Sequence, residues 1–172
     1  MDTPMMPRQT QRHAGAPQFV GFVLDAQRYA FRIERIQEIV NPSAATRLPE
    51  VPAFVEGVRN LRGTIIPIIN LRLLFGLPFR PVDGDTRTVV VNVGQRTMGC
   101  TVDAVLQVIR IPADQILPAP DTLTAAGPRY VEGLAKVGDD LFILLDTAQL
   151  LDPANLEAVH QVGLVMPPTG DS

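Results

Sequence analysis

The chain has 172 residues, 46% of them hydrophobic and 19% charged, with a formal net charge of -3; this supports one domain with a packed core, or two small joined units, and argues against generic binding to nucleic-acid phosphates, which needs a basic face. One cysteine, Cys100, leaves no intrachain disulfide and fits a reducing, cytoplasmic setting. No run approaches the roughly 20 apolar residues that span a bilayer, and residues 1–17 hold no apolar stretch of signal-peptide length.

Those residues, rich in Pro, Gln, Thr and Arg and without periodicity, read as a mobile tail. From Phe19 onward, short apolar runs alternate with turn residues. FVGFVLD, RYAFRI, GTIIPIIN, RTVVVNVG, RTMGCTVD, VLQVIRI and DLFILLD read as strands, rich in Val and Ile and bounded by Gly, Asp, Asn or Pro. With few aromatics and no Trp, the core is expected to rest on Val, Ile and Leu. IERIQEIV also fits a turn of helix, and is read as extended. Pro67 inside GTIIPIIN marks an edge or a bulge. Asn70 before LRLLF, with Gly76 and Pro78 after it, predicts a short capped helix. PFRPVDGDTR (78–87) is a turn-rich connector. The stretch 112–129, with four prolines, is an irregular loop suited equally to function and to spacing. Asp146 before TAQLL predicts a second short helix. Pro153 suits the first turn of a third, running through NLEAVHQV to Gly163.

The chain also repeats itself. FVEGVRNLRGTIIPIINLRLLF (54–75) aligns without a gap onto YVEGLAKVGDDLFILLDTAQLL (130–151). FVLDAQRYAFRIERIQEIV (22–40) aligns onto VVNVGQRTMGCTVDAVLQVI (90–109) with one residue inserted. Two blocks in the same order imply a duplicated unit. The expected architecture is mainly β, with two similar subdomains over about 18–84 and 85–152, then a C-terminal helix and tail over 153–172. Whether the halves exchange strands stays open.

Signatures of catalysis are missing from the sequence. The histidines, His13 and His160, fall in the tail and the last helix, far from a strand-end cluster. There is no Walker loop, no dinucleotide fingerprint and no Cys/His metal spacing. Cys100, in an apolar strand, reads as buried and inert. Glu56 and Glu132 precede a glycine in both repeats and read as structural, accepting turn amides. One position is informative because it does not repeat. The loop VRNLRG becomes LAKVGD, so Arg62-Gly63 gives way to Gly138-Asp139. A residue the fold requires should recur in both copies. The planar five-donor fork of Arg62 suits a partner interface or an ordinary surface ion pair, and Gly63 permits a sharp turn and a partner's close approach.

PAFVEGVRNLRGTIIPIINLR, with IQEIV upstream and GQRTMGCTVDAVLQVIRI and ILPAP downstream, resembles the CheW-like family of bacterial chemotaxis coupling proteins over about residues 18–152. The resemblance implies two small five-stranded SH3-like β-barrels. It implies a non-enzymatic cytoplasmic adaptor, without a cofactor, whose partners are the regulatory domain of a CheA-type histidine kinase and the cytoplasmic tip of chemoreceptors. Contact with the membrane would be indirect, through receptor arrays. Glu38 and Arg62 become partner contacts by this resemblance, with Arg62 on the receptor tip. Ile33, Ile36, Asn60 and Gly63 join them as weaker partner-binding positions. The family usually carries Asp where this chain has Asn70. A related twitching or surface-motility pathway, or an array component without coupling, are the alternative settings.

Overall fold

The computed structural model describes residues 16–119 and 130–152. The first repeat supplies β1 (Gln18–Leu24), β2 (Gln27–Arg32), β3 (Ile36–Val40), β4 (Val55–Leu61), β5 (Thr64–Asn70) and helix α1 (Leu71–Leu74). The second supplies β6 (Arg87–Val93), β7 (Arg96–Val102), β8 (Ala104–Arg110), β9 (Leu117–Pro118), β10 (Val131–Val137), β11 (Asp140–Leu145) and helix α2 (Thr147–Leu150). IERIQEIV divides: Ile33–Arg35 forms a single 3-10 turn and only the rest is strand. VRNLRG is mostly strand β4, and its turn is Arg62-Gly63 alone. The helix expected from Pro153 and residues 1–15 of the expected tail lie outside the described residues. Among the described residues no helix is long and apolar enough to cross a membrane.

The strands run β8-β1-β2-β11-β10-β9 in one sheet and β3-β6-β7-β5-β4 in the other. Each sheet therefore joins the opening hairpin of one repeat to later strands of the other. Each sheet has two junctions between the repeats, one antiparallel (β1 with β8, β3 with β6) and one parallel (β2 with β11, β5 with β7). A cut near residue 84 separates the repeats but not the sheets. The hairpins also fix the internal register. β1–β2 closes between Leu24 and Gln27, and β6–β7 between Val93 and Arg96. Residues 22–40 thus correspond to 91–109, and no insertion is needed.

Successive side chains on a strand point to opposite faces, and here both faces are covered. Phe22, Leu24, Phe31, Ile69, Val89, Val91 and Leu145 meet in the main cluster between the sheets. Phe19, Ala30, Phe142 and Leu144 fill the inside of one sheet, and Ile66, Ile68 and Val90 the inside of the other. Two-sided burial is why RTVVVNVG and DLFILLD read as continuous apolar runs. Burying a side chain such as Phe22 contributes about 2–3 kcal/mol. Aromatics do more than their number implied. Phe31, Phe22, Tyr29, Phe75 and Tyr130 form a continuous row of ring contacts, with centroids 4.8, 5.8, 5.3 and 5.5 Å apart, the first and third pairs tilted and the others stacked.

The repeated Val-Glu-Gly is a β-bulge, with the register shifting between Val55 and Gly57 and again between Val131 and Gly133. A further segment crosses each bulge. Thr46 and Val58 exchange backbone hydrogen bonds of 2.8 and 2.9 Å, and β9 pairs with Gly133 and Leu134. A Cβ on Gly57 (φ +142°) would stand 2.1 Å from the Thr46 carbonyl oxygen, and one on Gly133 2.7 Å from that of Leu117. Glycine is needed for this approach. The bulge glutamates serve side chains rather than turn amides. Asn70 Nδ2 donates to Glu56 Oε2 at 3.0 Å, and Arg32 Nε to Glu132 Oε2 at 2.8 Å.

Both helix caps are as expected: Asn70 Oδ1 accepts from the Leu73 amide at 3.1 Å and Asp146 Oδ1 from the Gln149 amide at 3.2 Å. Pro67 lies on an inner strand, not an edge. Its partner there is Val58 of β4, and the ladder to β7 begins only at Ile68, so the missing amide breaks no bond.

Candidate interaction site

The pairing of Leu61 with Thr64 leaves Arg62 and Gly63 as a two-residue turn. Both have positive φ, 53° and 87°. This combination matches the twist of the flanking strands. Gly63 adopts it freely, and Arg62 does so against the usual preference of a side-chain-bearing residue. The Gly63 amide donates to Asn60 Oδ1 at 2.8 Å, which holds the turn closed.

So placed, Arg62 Nη1 donates to Glu38 Oε2 in an ion pair. Glu38 lies on β3 and Arg62 follows β4, the two outer strands of this sheet. The pair therefore joins the sheet's edges across its curl. Arg59 Nη1, donating to the Asn41 carbonyl at 3.1 Å, makes a second bridge. The Arg62 side chain is 70% exposed and that of Glu38 20%. The carboxylate is thus the anchored half, and the guanidinium keeps free donors toward solvent. Beside them opens a pocket of about 140 Å³ between Gln37, Leu61, Thr64, Ile66 and Thr97.

Four of the sequence-derived positions, Glu38, Asn60, Arg62 and Gly63, come together here. Ile36 instead packs against the main cluster, and Ile33 opens the 3-10 turn where the chain passes from one sheet to the other. Neither lines the pocket beside Arg62.

A second ion network escaped the sequence reading. Arg72, 7% exposed, donates to Asp103 Oδ2 at 2.7 Å and to the Pro78 carbonyl at 2.9 Å. Asp103 Oδ2 also accepts from the Asp25 amide at 2.7 Å and from Arg80 at 3.2 Å. Asp103 is the residue where the chain crosses from β7 to β8, and so from one sheet to the other. Arg72 is replaced by Ala148 in the second repeat, the same asymmetry that singled out Arg62. Cys100 is buried in the main cluster, and burial pushes its thiol up to about 12.

A family model for the CheW-like domain matches residues 18–155. The chain belongs to the CheW-like family. It is 37% identical over 145 residues to the Chemotaxis protein CheW of Klebsiella aerogenes, covering 84% of this chain and 87% of that one. It is 38% identical over 152 residues to the Chemotaxis protein CheW of Helicobacter pylori, covering 84% and 92%. Among solved structures it is similar to the scaffolding protein TtCheW from Thermoanaerobacter tengcongensis, with a TM-score of 0.73 and 36% identity over 80% of this chain and 93% of that one.

This CheW-like chain balances charge differently in its two halves. Asn70 and Asp146 are equivalent caps, and each shares a pocket with a bulge glutamate. Beside Asp146 and Glu132 stands Arg32, whose proton the hydrogen bond to Glu132 holds more tightly. At the position matching Arg32 the other half has Thr101, which carries no charge. A carboxylate caps the helix where Arg32 donates to the bulge glutamate, and an amide caps it where Asn70 must itself supply that donor to Glu56.

Proposed function

We propose that the chain is a non-enzymatic adaptor that couples the cytoplasmic tips of chemoreceptors to a CheA-type histidine kinase. The observation that carries this reading is the Arg62–Glu38 pair. It is an exposed guanidinium held in place by a carboxylate, set across the edges of a sheet, and present in one repeat only. Membership in a family whose relatives bear the names chemotaxis protein and scaffolding protein supports the same reading.

Coupling of this kind is thermodynamic. A receptor tip presenting a helix would lay its apolar side against the pocket at Leu61 and Ile66, with Arg62 donating to an acceptor on the helix. A separate surface would hold the kinase. Receptor state then alters kinase activity only if the adaptor's contacts differ in strength between the kinase's two states. A difference of about 1–3 kcal/mol corresponds to roughly 5–150-fold.

The test is a binding experiment with the full chain, a receptor signalling-tip fragment and the kinase regulatory domain. The adaptor reading expects both to bind and a ternary complex to form. A chain that binds the kinase but never the receptor, with kinase activity indifferent to receptor, is a structural array component instead.

A further inference from the structure

A second groove adjoins the Arg62–Glu38 pocket. It has a volume of about 350 Å³ and runs between β5 and the β6–β7 turn. Its walls are largely apolar: Ile65, Ile66, Pro67 and Met98, with Thr64 and Thr97 shared with the neighbouring pocket. Ile65 is 59% exposed, so an isoleucine on an otherwise well-packed sheet faces solvent. The one formal charge in the lining is Arg96.

Arg96 also identifies an occupant. Its Nη2 donates to the carbonyl of Leu151 at 3.1 Å, next to the last described residue before the chain continues as 153–172. That segment leaves the folded unit at the rim of the groove. Its sequence is complementary to the lining. Leu156, Val159, Val162 and Met166 recur at three- and four-residue spacing. Glu157 and Asp171 are its acids, and it contains no Lys or Arg to oppose Arg96. We infer that residues 153–172 of this chain dock along the groove between β5 and the β6–β7 turn, covering Ile65 and lying beside Met98. The docked segment borders the Arg62–Glu38 pocket and would compete with anything that spreads from that pocket onto Ile65.

The experiment uses the full chain alone, so it succeeds or fails apart from the adaptor reading. Gln161→Cys carries a nitroxide, while Cys100, fully buried, stays unlabelled. Methyl spectra should show the Ile65 and Met98 signals losing most of their intensity, while Leu117 and Leu141 on the other sheet stay sharp. Adding Leu156→Asp to the same labelled chain should restore both signals. Sharp Ile65 and Met98 signals in the labelled chain would overturn the proposal, as would broadening centred on the exposed Val82. So would broadening that arises only between copies, seen when the labelled protein is mixed with an isotope-labelled, spin-free one.

Discussion

Arg62 and Glu38 belong to opposite ends of one sheet's strand order, yet their side chains form an ion pair. The pair is too exposed to hold the sheet shut by itself, since surface pairs contribute about 0.2–1 kcal/mol. Arg62→Ala and Glu38→Ala should each change the unfolding free energy by no more than about 1 kcal/mol. Each should weaken receptor-tip binding by about 2 kcal/mol, roughly thirtyfold in Kd. Urea unfolding beside calorimetric titration checks both. A large stability loss with intact binding would make the pair a structural clasp.

The buried network behaves in the opposite way. Arg72→Ala leaves Asp103, only 10% exposed, without its closest cation. Breaking a buried pair from one side costs about 3–5 kcal/mol. The urea midpoint should fall accordingly, and Asp103→Ala should fall with it, because Asp103 also receives the Asp25 amide. A double variant whose loss equals the sum of the two single losses would show that the residues do not act together.

Two glycines of the same hairpin should respond differently. Gly57→Ala drives a Cβ into the Thr46 carbonyl, whereas nothing lies within 4 Å of a Cβ on Gly63. Gly57→Ala should therefore cost at least about 3 kcal/mol. Gly63→Ala, with only its positive φ to accommodate, should cost about 1–2 kcal/mol. Comparable losses for both would mean that Thr46 can move aside.

Alkaline pH supplies another check. Burial pushes the Cys100 thiol from 9.0 up to about 12, and the Tyr130 hydroxyl, by burial first and Tyr29 second, from 10.0 up to about 12. Both groups hold their protons longer in the folded state than in the unfolded one. Their contribution is complete below pH 9.0 and is lost progressively from there to about 12, the folded-state value. Each retained proton gives a slope of about 1.4 kcal/mol per pH unit. Cys100→Ala should flatten the decline that begins near pH 9.0, although it destabilises the protein at neutral pH. An unchanged slope would contradict this assignment.

The pattern of charge around the caps predicts that Asn70→Asp keeps the helix cap but destabilises the chain at pH 7. The new carboxylate loses the donation to Glu56 and faces it instead. The cost should be about 1–2 kcal/mol, the penalty of an unmet buried group. It should shrink as pH falls and one acid takes up a proton, visible as a thermal-unfolding difference that closes in acid.

The duplication, the strand-rich class and the two capped helices were legible because each rests on local chemistry: apolar runs, an Asn or Asp before a helix, a repeated Val-Glu-Gly. The exchange of hairpins between sheets was not legible, because both repeats carry apolar residues on both strand faces and either pairing would bury them. Arg62 stood out through its absence from the second repeat. Arg72 carried the same sign but lay inside a helix, where an arginine reads as an ordinary surface charge; only its contact with Asp103, remote in sequence, reveals its burial. Ile36 was drawn toward the site because residues two apart, such as Ile36 and Glu38, share a face of a regular strand, yet the register of β3 on β6 shifts between them, and Ile36 goes to the core.

The most direct test of the coupling role is receptor-dependent autophosphorylation of the kinase with the native chain, with Arg62→Glu, and with Arg62→Glu combined with Glu38→Arg. The adaptor account predicts that the native chain brings kinase activity under receptor control, that the single reversal abolishes this while kinase binding persists, and that the double reversal restores part of it. Full receptor control with Arg62→Glu would contradict the account and return Arg62 to the status of an ordinary turn charge.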